Sequence, residues 1–386
     1  MKFLGYCRKD GRVGTRNLVG IISTVVCANE VTEAIARNVQ GTSFFIHQQG
    51  CCQTPIDLKR VLKTLIGLGK NPNLASVLLI SLGCESVELE KIKCGIEASY
   101  KRVESLKIQE VGGAAKAIAL GTLLAQDMVH EASSIRLTSC PVSELVLGLK
   151  CGSSDTTSGL FSNPALGIAS DRLVEMGATS ILGEVTEFIG AEHILAKHAL
   201  TPEIGQKISN LTKNMENRAK STGCDIRGGQ PTGGNIKGGL TTIEEKSLGA
   251  IAKAGNSPIN GVYEYGEQPD KKGLVVMDSP GREPEILTGL AAAGCNIIAF
   301  TTGKGAPQGF PFIPVLKITA NENTWKSLRD HMDLWLNAFQ DKDTTLGDLG
   351  KQILDELLIT ASGRLTKAEI SGYTRSMDIY TIGPVI

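Results

Sequence analysis

The sequence predicts an α/β fold of two domains with mainly parallel, Rossmann-like sheets. Short apolar runs rich in Val, Ile and Leu alternate with longer stretches whose apolar residues recur at helical spacing. Runs of the first kind are typical of strands buried on both faces, and their alternation with helices favours parallel sheets. At 386 residues the chain is also longer than one hydrophobic core usually holds, which indicates two domains.

Strands and helices follow from these two kinds of run. Strands are expected over residues 18–26, 76–82, 144–149, 179–182, 273–277 and 296–300. Helices are expected over residues 29–38, 55–68, 114–130, 163–176, 284–293 and 346–358. The boundary is expected after the helix at 114–130, which gives domains 1–133 and 134–386. The tail, residues 363–386, is expected to be irregular and to end in a strand.

The charge balance and the apolar pattern exclude several classes of partner. Lys plus Arg and Asp plus Glu each number 40, so the formal net charge is zero and offers no footprint for nucleic acid or an anionic membrane. No stretch has the length of a signal peptide core or a spanning helix, so a cytoplasmic location is expected. The ten cysteines form no CxxC pair, which leaves buried side chains, metal ligands or reactive thiols.

Polar residues concentrate beside glycines in five places. In the first, residues 11–17, Arg12, Thr15 and Arg16 surround a glycine turn and suit a carboxylate, although an ordinary loop with solvated arginines explains them equally well. In the second and third, His47 and Cys51 share a glycine turn and Cys84 follows a strand. Such side chains could hold iron or zinc, act as a reactive thiol, or be structural.

The fourth segment, residues 150–159, follows a predicted strand and contains Lys150, Ser154 and Asp155. Hydroxyl and amide groups at this density suit a polyhydroxylated or anionic ligand, and a capped helix start is the alternative. The patterns GxxxxGK[ST] and GxGxxG with its distant acidic residue are absent, so a nucleotide-binding dehydrogenase is disfavoured.

The fifth place joins residues 183–193 to residues 230–246. Glu187, Glu192 and His193 lie within two helical turns, so one shared face is expected. Residues 221–239 carry seven glycines and are too long for a simple connection, which favours a functional loop. The residues alone therefore indicate a two-domain α/β enzyme with a polar active site that could contain a metal.

Eight motifs in order resemble those of the altronate and galactarate dehydratase family across nearly the whole chain. They are GRVGTRN, HQQGC, LGCE, KCGSSDTTSG, GEVTEFIGAEH, QPTGGNIKGGLTTIEEK, FTTGKGAPQGFPFIPVLKIT and SGRLTKAEISGY. The resemblance implies loss of water from a sugar acid to give a 2-keto-3-deoxy acid. It also implies a divalent metal, most simply Fe²⁺ with Mn²⁺ as the alternative.

The resemblance also implies partners and two other functions. Family members usually carry a small N-terminal domain that this chain lacks, so a separate small subunit of the SAF-domain type is expected, together with a homo-oligomer. A related protein, the large subunit of sulfolactate sulfo-lyase, eliminates sulfite and is expected to differ at HQQGC and LGCE. A non-catalytic sugar-acid-binding subunit is the remaining alternative.

Residue type and motif membership assign roles for elimination across C2 and C3 of the acid. The catalytic residues are expected to be His47, Glu187 and His193, and the metal ligands His47, Cys51, Cys84, Glu192 and His193. The substrate-binding residues are expected to be Arg12, Thr15, Arg16, Lys150, Ser154, Asp155, Asn235 and Lys237. Trp335 stands where the family has a small polar residue, which argues against altronate itself if that loop contacts the substrate.

Overall fold

The computed structural model describes residues 1–338 and 343–384 and contains one antiparallel and two parallel sheets. The strands are β1 Lys2–Cys7, β2 Val13–Gly14, β3 Leu18–Ser23, β4 Thr42–Phe45, β5 Leu74–Ser81, β6 Val103–Lys107, β7 Thr138–Pro141, β8 Val146–Cys151, β9 Thr179–Leu182, β10 Ile259–Tyr263, β11 Gly273–Met277, β12 Ile297–Thr301, β13 Val315–Thr319 and β14 Leu334–Trp335. The helices are α1 Asn29–Asn38, α2 Pro55–Lys70, α3 Leu89–Glu97, α4 Ala114–Ala132, α5 Asn163–Glu175, α6 Glu192–Lys197, α7 Pro202–Lys220, α8 Gly233–Lys237, α9 Ile243–Ile251, α10 Glu283–Ala292, α11 Glu322–Ser327, α12 Leu346–Ala361 and α13 Lys367–Ser371. The predicted α/β class with parallel sheets is confirmed.

The first parallel sheet has four strands in the order β4-β3-β5-β6. Successive residues of a strand point to opposite faces, so Ile21 of β3 packs with α1 and α4 while Ile22 packs with α2 and α3. The chain runs from β3 outward to β4 and then returns to the other side with β5. The strand order therefore reverses between β3 and β5.

The second parallel sheet has seven strands in the order β10-β11-β9-β8-β12-β13-β14. Its residues are almost all fully buried because α5 and α12 cover one face and α10 covers the other. From β8 the chain first builds β9, β10 and β11 on one side and then β12, β13 and β14 on the other. The order reverses between β8 and β12.

The helices α2 and α10 pack against each other between the two parallel sheets. Gly67 of α2 permits this contact, because a Cβ atom there would lie 2.5 Å from the carbonyl oxygen of Ala292. Leu65 and Leu68 of the first sheet's layer share one apolar cluster with Ile298 of the second. The two sheets are therefore joined by a common core.

A three-stranded antiparallel sheet, β2-β1-β7, was not among the expected elements. It pairs Phe3 with Cys140, so the first strand meets a segment beyond the predicted boundary. No helix in the described ranges is long and apolar enough to cross a membrane.

Most element predictions agree with the structure, and two are corrected. The expected ranges 29–38, 179–182 and 273–277 coincide with α1, β9 and β11. The strand expected over 18–26 ends early, at Ser23, whose hydroxyl donates to the carbonyl of Val25 at 2.6 Å and turns the chain. The final strand expected in the tail is wrong for residues up to 384, where a capping box at Thr366 starts the helix α13; residues 385–386 lie outside the described ranges.

Candidate functional site

The segments after β8 and β12 meet where the strand order of the seven-stranded sheet reverses. In open α/β sheets ligands bind outside the carboxyl ends of the strands at such a point. The amide of Gly152 donates to the carbonyl of Thr301 at 2.8 Å, and the amide of Gly303 donates to the carbonyl of Ser153 at 2.9 Å. The polar segment 150–159 therefore lies where a ligand site is expected in this fold.

A buried cluster of three charged side chains lies at this edge. Lys150 Nζ is 2.5 Å from Glu184 Oε1, and Lys253 Nζ is 3.1 Å from Glu184 Oε2. None of the three side chains is more than 1% exposed. Two ammonium groups thus share one buried carboxylate, which is a surplus of one positive charge within the cluster. Glu283, whose side chain is 33% exposed, reaches Lys150 Nζ only at 3.9 Å. A buried surplus charge of this kind favours an anionic ligand.

The surrounding groups fix the charge states of this cluster. Burial alone would raise the pKa of Glu184, but the charges of Lys150 and Lys253 outweigh it and hold that pKa below its usual value. Burial opposes the charge of Lys150, but Glu184 raises the pKa of the ammonium above its usual value. Burial raises the pKa of Cys151, whose Sγ lies 3.2 Å from Lys253 Nζ, to about 12. The thiol therefore stays neutral and does not cancel the surplus charge.

Asp155 forms the polar floor of the site next to the cluster. Its Oδ1 accepts from the hydroxyl of Thr157 at 2.8 Å, and its Oδ2 accepts from the side-chain amide of Asn321 at 2.7 Å. Gly303 is required beside it, because a Cβ atom there would lie 2.2 Å from the Asp155 carboxyl carbon. The hydroxyl of Ser154 is buried without a hydrogen-bond partner in the described structure. This floor therefore keeps one unused hydroxyl for a ligand.

Residues 230–246, here called the lid segment, close over the floor. The side-chain amide of Asn235 donates to the carbonyl of Ser154 at 3.0 Å, and the amide of Thr156 donates to the carbonyl of Gly238 at 3.0 Å. Lys304 Nζ donates to the carbonyl of Gly234 at 2.5 Å. A cavity beside Ser154 and Asp155 is only about 10 Å³, room for one water at most. A ligand larger than one water molecule therefore fits beside Ser154 and Asp155 only if the lid segment moves.

Glu187 connects the lid segment to the charged cluster. Its Oε1 lies 3.1 Å from Lys246 Nζ, which also donates to the Gln230 side chain at 2.9 Å. Its Oε2 is buried without a hydrogen-bond partner in the described structure. Glu192 accepts from the amide of Gly190 at 2.6 Å, and His193 is exposed at the start of α6. The structure thus brings Glu187, but not the exposed His193 side chain, into the buried site.

His47, Cys51 and Cys84 lie at the carboxyl edge of the other parallel sheet, near the reversal between β3 and β5. His47 is 2% exposed, its Nε2 faces the carbonyl of Ser23 at 3.0 Å, and its Nδ1 accepts from the amide of Gln49 at 3.1 Å. Burial lowers the pKa of His47 to about 4, against a raising effect of the Ser23 carbonyl. Both ring nitrogens are therefore engaged with the backbone in this conformation.

Arg12, Thr15 and Arg16 lie at the amino edge of the seven-stranded sheet, opposite the charged cluster. The hydroxyl of Thr15 donates to the carbonyl of Asn296, directly before β12, at 2.6 Å. Arg16 pairs with Glu369 at 2.6 Å, and Arg12 pairs with Asp10 at 2.6 Å. The structure does not bring these three together with Lys150, and their assignment to substrate stays a prediction.

Two family models cover nearly the whole chain. D-galactarate/altronate dehydratase, C-terminal, matches residues 142–385, and D-galactarate dehydratase/altronate hydrolase, second domain, matches residues 5–133. The chain belongs to the D-galactarate/altronate dehydratase family. The dehydratases of this family are hydro-lyases, and the prediction of an enzyme of that type is confirmed.

Three curated relatives are named for three different activities. The chain is 40% identical to (2R)-sulfolactate sulfo-lyase subunit beta of Chromohalobacter salexigens, over 96% of this chain and 95% of the relative. It is 34% identical to altronate dehydratase of Bacillus subtilis, over 99% of this chain and 78% of the relative. It is 31% identical to galactarate dehydratase (L-threo-forming) of Escherichia coli, over 99% and 77%.

The ligands predicted for the iron that the family resemblance implies are not brought together in this structure. Among residues 1–338 and 343–384, no group of three or more His, Cys, Asp or Glu side chains could hold a metal ion. Cys51 and Cys84 belong to the first parallel sheet and Glu192 to the second, while both nitrogens of His47 have partners. The five predicted ligands do not fit one metal here, and their assignment stays a prediction.

Sequence reasoning missed several groups of this dehydratase-family site. Glu184 stands inside the GEVTEFIGAEH motif, in which the sequence prediction names Glu187 as catalytic. Lys253 carries no pattern that distinguishes it from other helical lysines. Lys237 lies exposed on α8, away from the floor that Asn235 contacts. Trp335 lies on the edge strand β14, two strands from β12, and stacks on Trp325 at 5.9 Å between ring centroids.

Proposed function

We propose that this chain is the catalytic chain of a lyase that dehydrates a sugar acid of the altronate or galactarate type to a 2-keto-3-deoxy acid. The observation that carries the proposal is the buried cluster of Lys150, Glu184 and Lys253 at the strand-order reversal, with its one surplus positive charge. A sugar acid supplies the matching negative charge in its carboxylate. It also supplies hydroxyl groups for the floor around Ser154 and Asp155.

The surplus charge does more than bind the acid. Removal of the C2 proton moves negative charge onto the carboxylate oxygens as an enediolate forms. An ammonium group fixed in a buried site stabilises that charge more than the ground state, and removal of one such donor typically costs about 10²–10³ in kcat. Lys253 and Lys150 are the groups positioned for this role.

Glu187 is the residue that we propose as the base for the C2 proton. Lys246 holds its Oε1, and its Oε2 is buried and free to accept a proton. A positioned base or acid typically contributes about 10²–10⁴-fold. Ser154, Asp155 and Asn235 would hold the hydroxyl groups of the substrate, and the proton that Glu187 takes from C2 would leave with the C3 hydroxyl as water.

Elimination of sulfite from sulfolactate is the second candidate. It requires the same loss of a C2 proton with a different group leaving C3. The sulfo-lyase subunit beta is matched over 95% of its length, whereas the altronate and galactarate dehydratases are matched over 77–78%. The same cluster would bind the carboxylate of either substrate.

The assembly around this chain is also a proposal. The dehydratases are longer than the matched part, and the sulfo-lyase relative is named as one subunit, which supports a separate small subunit. We propose that it works with a homo-oligomer of this chain in the cytoplasm, where its ten cysteines stay reduced. Fe²⁺, with Mn²⁺ as the alternative, remains the proposed cofactor.

The test is anaerobic incubation with aldonates, aldarates and sulfolactate, with and without Fe²⁺, Mn²⁺ and the small subunit. Release of a 2-keto-3-deoxy acid supports dehydration, and release of sulfite moves the assignment to the second candidate. Lys253→Met is expected to lower kcat by about 10²–10³. The exposed Lys220→Met is the matched control. Binding of a sugar acid without turnover would favour the non-catalytic subunit and contradict the proposal.

A further inference from the structure

A partly open cavity of about 220 Å³ lies at the amino edge of the four-stranded sheet. It is bounded by the end of β1, the first residues of β5, the turn after α3 and the end of α4. Its charged lining residues are Arg8, Lys9, Lys101, Arg102 and Glu131. Cys84 and Glu85 follow β5 at the opposite edge of the same sheet, so this cavity is separate from both polar edges described above.

Two of these cations are buried without a carboxylate. Lys101 is 8% exposed and its Nζ donates to the carbonyls of Gly69, at 2.9 Å, and Asn71. Arg8 is 9% exposed and donates to the carbonyl of Pro72 at 2.7 Å and to the side chain of Asn17 at 2.8 Å, among neutral acceptors only. Neither forms an ion pair in the described part of the chain. Buried Lys and Arg are almost always paired with an anion.

The carboxylates near the cavity are already engaged elsewhere. Arg102 forms ion pairs with Glu131 at 2.9 Å, Asp127 at 2.8 Å and Glu104 at 3.1 Å. Lys9 is exposed at the rim and has no hydrogen bond or ion pair with the described residues. Asp10, whose charge acts on both Arg8 and Lys101, pairs with Arg12 at 2.6 Å. The positive charges without a carboxylate partner of their own therefore belong to Arg8, Lys9 and Lys101.

An unpartnered hydroxyl lines the same cavity. Ser76, the third residue of β5, is 6% exposed, and its buried Oγ has no hydrogen-bond partner in the described structure. A buried hydroxyl without a partner costs free energy, so such groups usually meet a ligand or water. Ser76 belongs to the cavity lining, so this unused hydroxyl is an observation independent of the charge argument.

We propose that this cavity binds a small organic anion through Arg8, Lys9, Lys101 and Ser76. The volume lies below the range of about 300–1,000 Å³ that holds drug-sized ligands, so the ligand is small. Ala75, Met128, Ala132 and Ile135 line the apolar side, and the ring of Tyr100 stands 69% exposed at the rim. The ligand therefore carries a carboxylate or phosphate group on a short apolar body.

The charge state of Lys101 is consistent with a missing anion. Burial lowers the pKa of Lys101 well below its usual value, and the nearby charges of Arg12 and Arg8 lower it further. A bound anion would favour the charged form of Lys101 and so offset part of this lowering. The cavity and its unpaired groups carry the inference, and this shift agrees with it.

Isothermal titration calorimetry on the full chain tests the proposal, with inorganic phosphate and pyruvate as the two probes. Saturable binding of phosphate alone identifies a phosphate group, and binding of pyruvate alone identifies a carboxylate. Lys9→Gln is expected to weaken binding about fivefold or more, and Ser76→Ala about threefold or more. Lys2→Gln removes an exposed charge from β1, outside the cavity lining, and should leave affinity unchanged.

Ser76→Ala also separates binding from a structural role. Its hydroxyl has no partner, so the urea midpoint of unfolding should stay unchanged or rise while affinity falls. Absence of saturable binding for both probes overturns the proposal. Binding that Lys9→Gln and Ser76→Ala leave unchanged also overturns it, since the anion would then sit elsewhere, for example at Lys150 and Lys253.

Discussion

Glu184 holds two buried ammonium groups, and its loss should cost more stability than the loss of either lysine. Glu184→Gln leaves Lys253 without a counter-ion and Lys150 with only the partly exposed Glu283 at 3.9 Å, which we expect to lower the free energy of unfolding by about 3–5 kcal/mol. Lys253→Met leaves a neutral pair and should cost less than about 2 kcal/mol. Urea unfolding of the two variants measures the difference. Equal losses of unfolding free energy in the two variants would mean that another group compensates the surplus charge.

Lys317 is a buried lysine whose charge should make stability depend on pH. Burial lowers its pKa to about 8, against the opposing charge of Asp333, and its Nζ donates to the carbonyl of Pro307 at 2.8 Å. The unfolded lysine titrates near 10.5, so the unfolded chain binds more protons between pH 8 and 10.5 and stability rises with pH there. The rise amounts to roughly 3 kcal/mol.

Lys317→Met removes this titration and provides the comparison. The difference in free energy of unfolding between wild type and variant should change with pH between 8 and 10.5 in favour of the wild type. Below pH 8 the difference in free energy of unfolding should be constant, because Lys317 is then charged in both the folded and the unfolded chain. Parallel stability curves over the whole range would contradict the assignment.

At the scale of elements, the lid segment and the floor fit because glycines separate them. A Cβ atom at Gly238 would lie 2.9 Å from Asp155 Cβ, whereas one at Gly233, on the same lid, would meet nothing within 4 Å. Gly238→Ala should therefore displace Asp155 and lower kcat/KM about tenfold or more, since small misplacements are costly in active sites. Gly233→Ala should leave kcat/KM unchanged. Steady-state kinetics decide, and equal effects of both changes would show that lid and floor are not coupled.

Six of the eleven parallel strands in the described residues could be predicted, because each is a local run rich in buried Val, Ile and Leu. The other five, β4, β6, β10, β13 and β14, were not among the expected strands. The sheet β2-β1-β7 could not be predicted either, because Phe3 pairs with Cys140, far along the chain, and neither strand has a marked apolar pattern. The helix α7 was also missed, since its 19 residues are mostly polar. Local apolar runs therefore predict the central strands of both parallel sheets except β13, but not the strands at the sheet edges or those that depend on distant partners.

The candidate site could likewise be predicted from the sequence only in part. Lys150, Ser154 and Asp155 follow one strand, so their proximity at its carboxyl end follows from the parallel sheet. Arg16 was placed near substrate because of its glycine turn, but its partner Glu369 is 353 residues later, at the opposite edge. Lys253 belongs to the site only because the turn after α9 returns to Glu184. The ends of the predicted strands therefore indicate where the site lies. Which charged residues meet there depends on contacts between distant segments of the chain.

At the scale of the whole molecule, the two parallel sheets are tied by more than the helices between them. The side-chain amide of Asn73 donates to the carbonyls of Asn296 at 3.0 Å and Phe312 at 2.9 Å. The chain end returns to α2, where the amides of Ile382 and Gly383 donate to the Asp57 carboxylate at 2.9 and 2.7 Å. These buried contacts join regions that belong to different predicted domains.

Because of this shared core we expect the chain to unfold in one cooperative transition. Both tryptophans, Trp325 and Trp335, report the seven-stranded sheet, whereas far-ultraviolet circular dichroism reports all helices. The two urea curves should coincide, as coincident probes are the test of two-state behaviour. Gly67→Ala pushes α2 away from the carbonyl of Ala292 and should shift both curves together to lower urea. Two separated transitions in the wild type would mean that each sheet holds its own core, and that the contact between α2 and α10 contributes little to the stability of either.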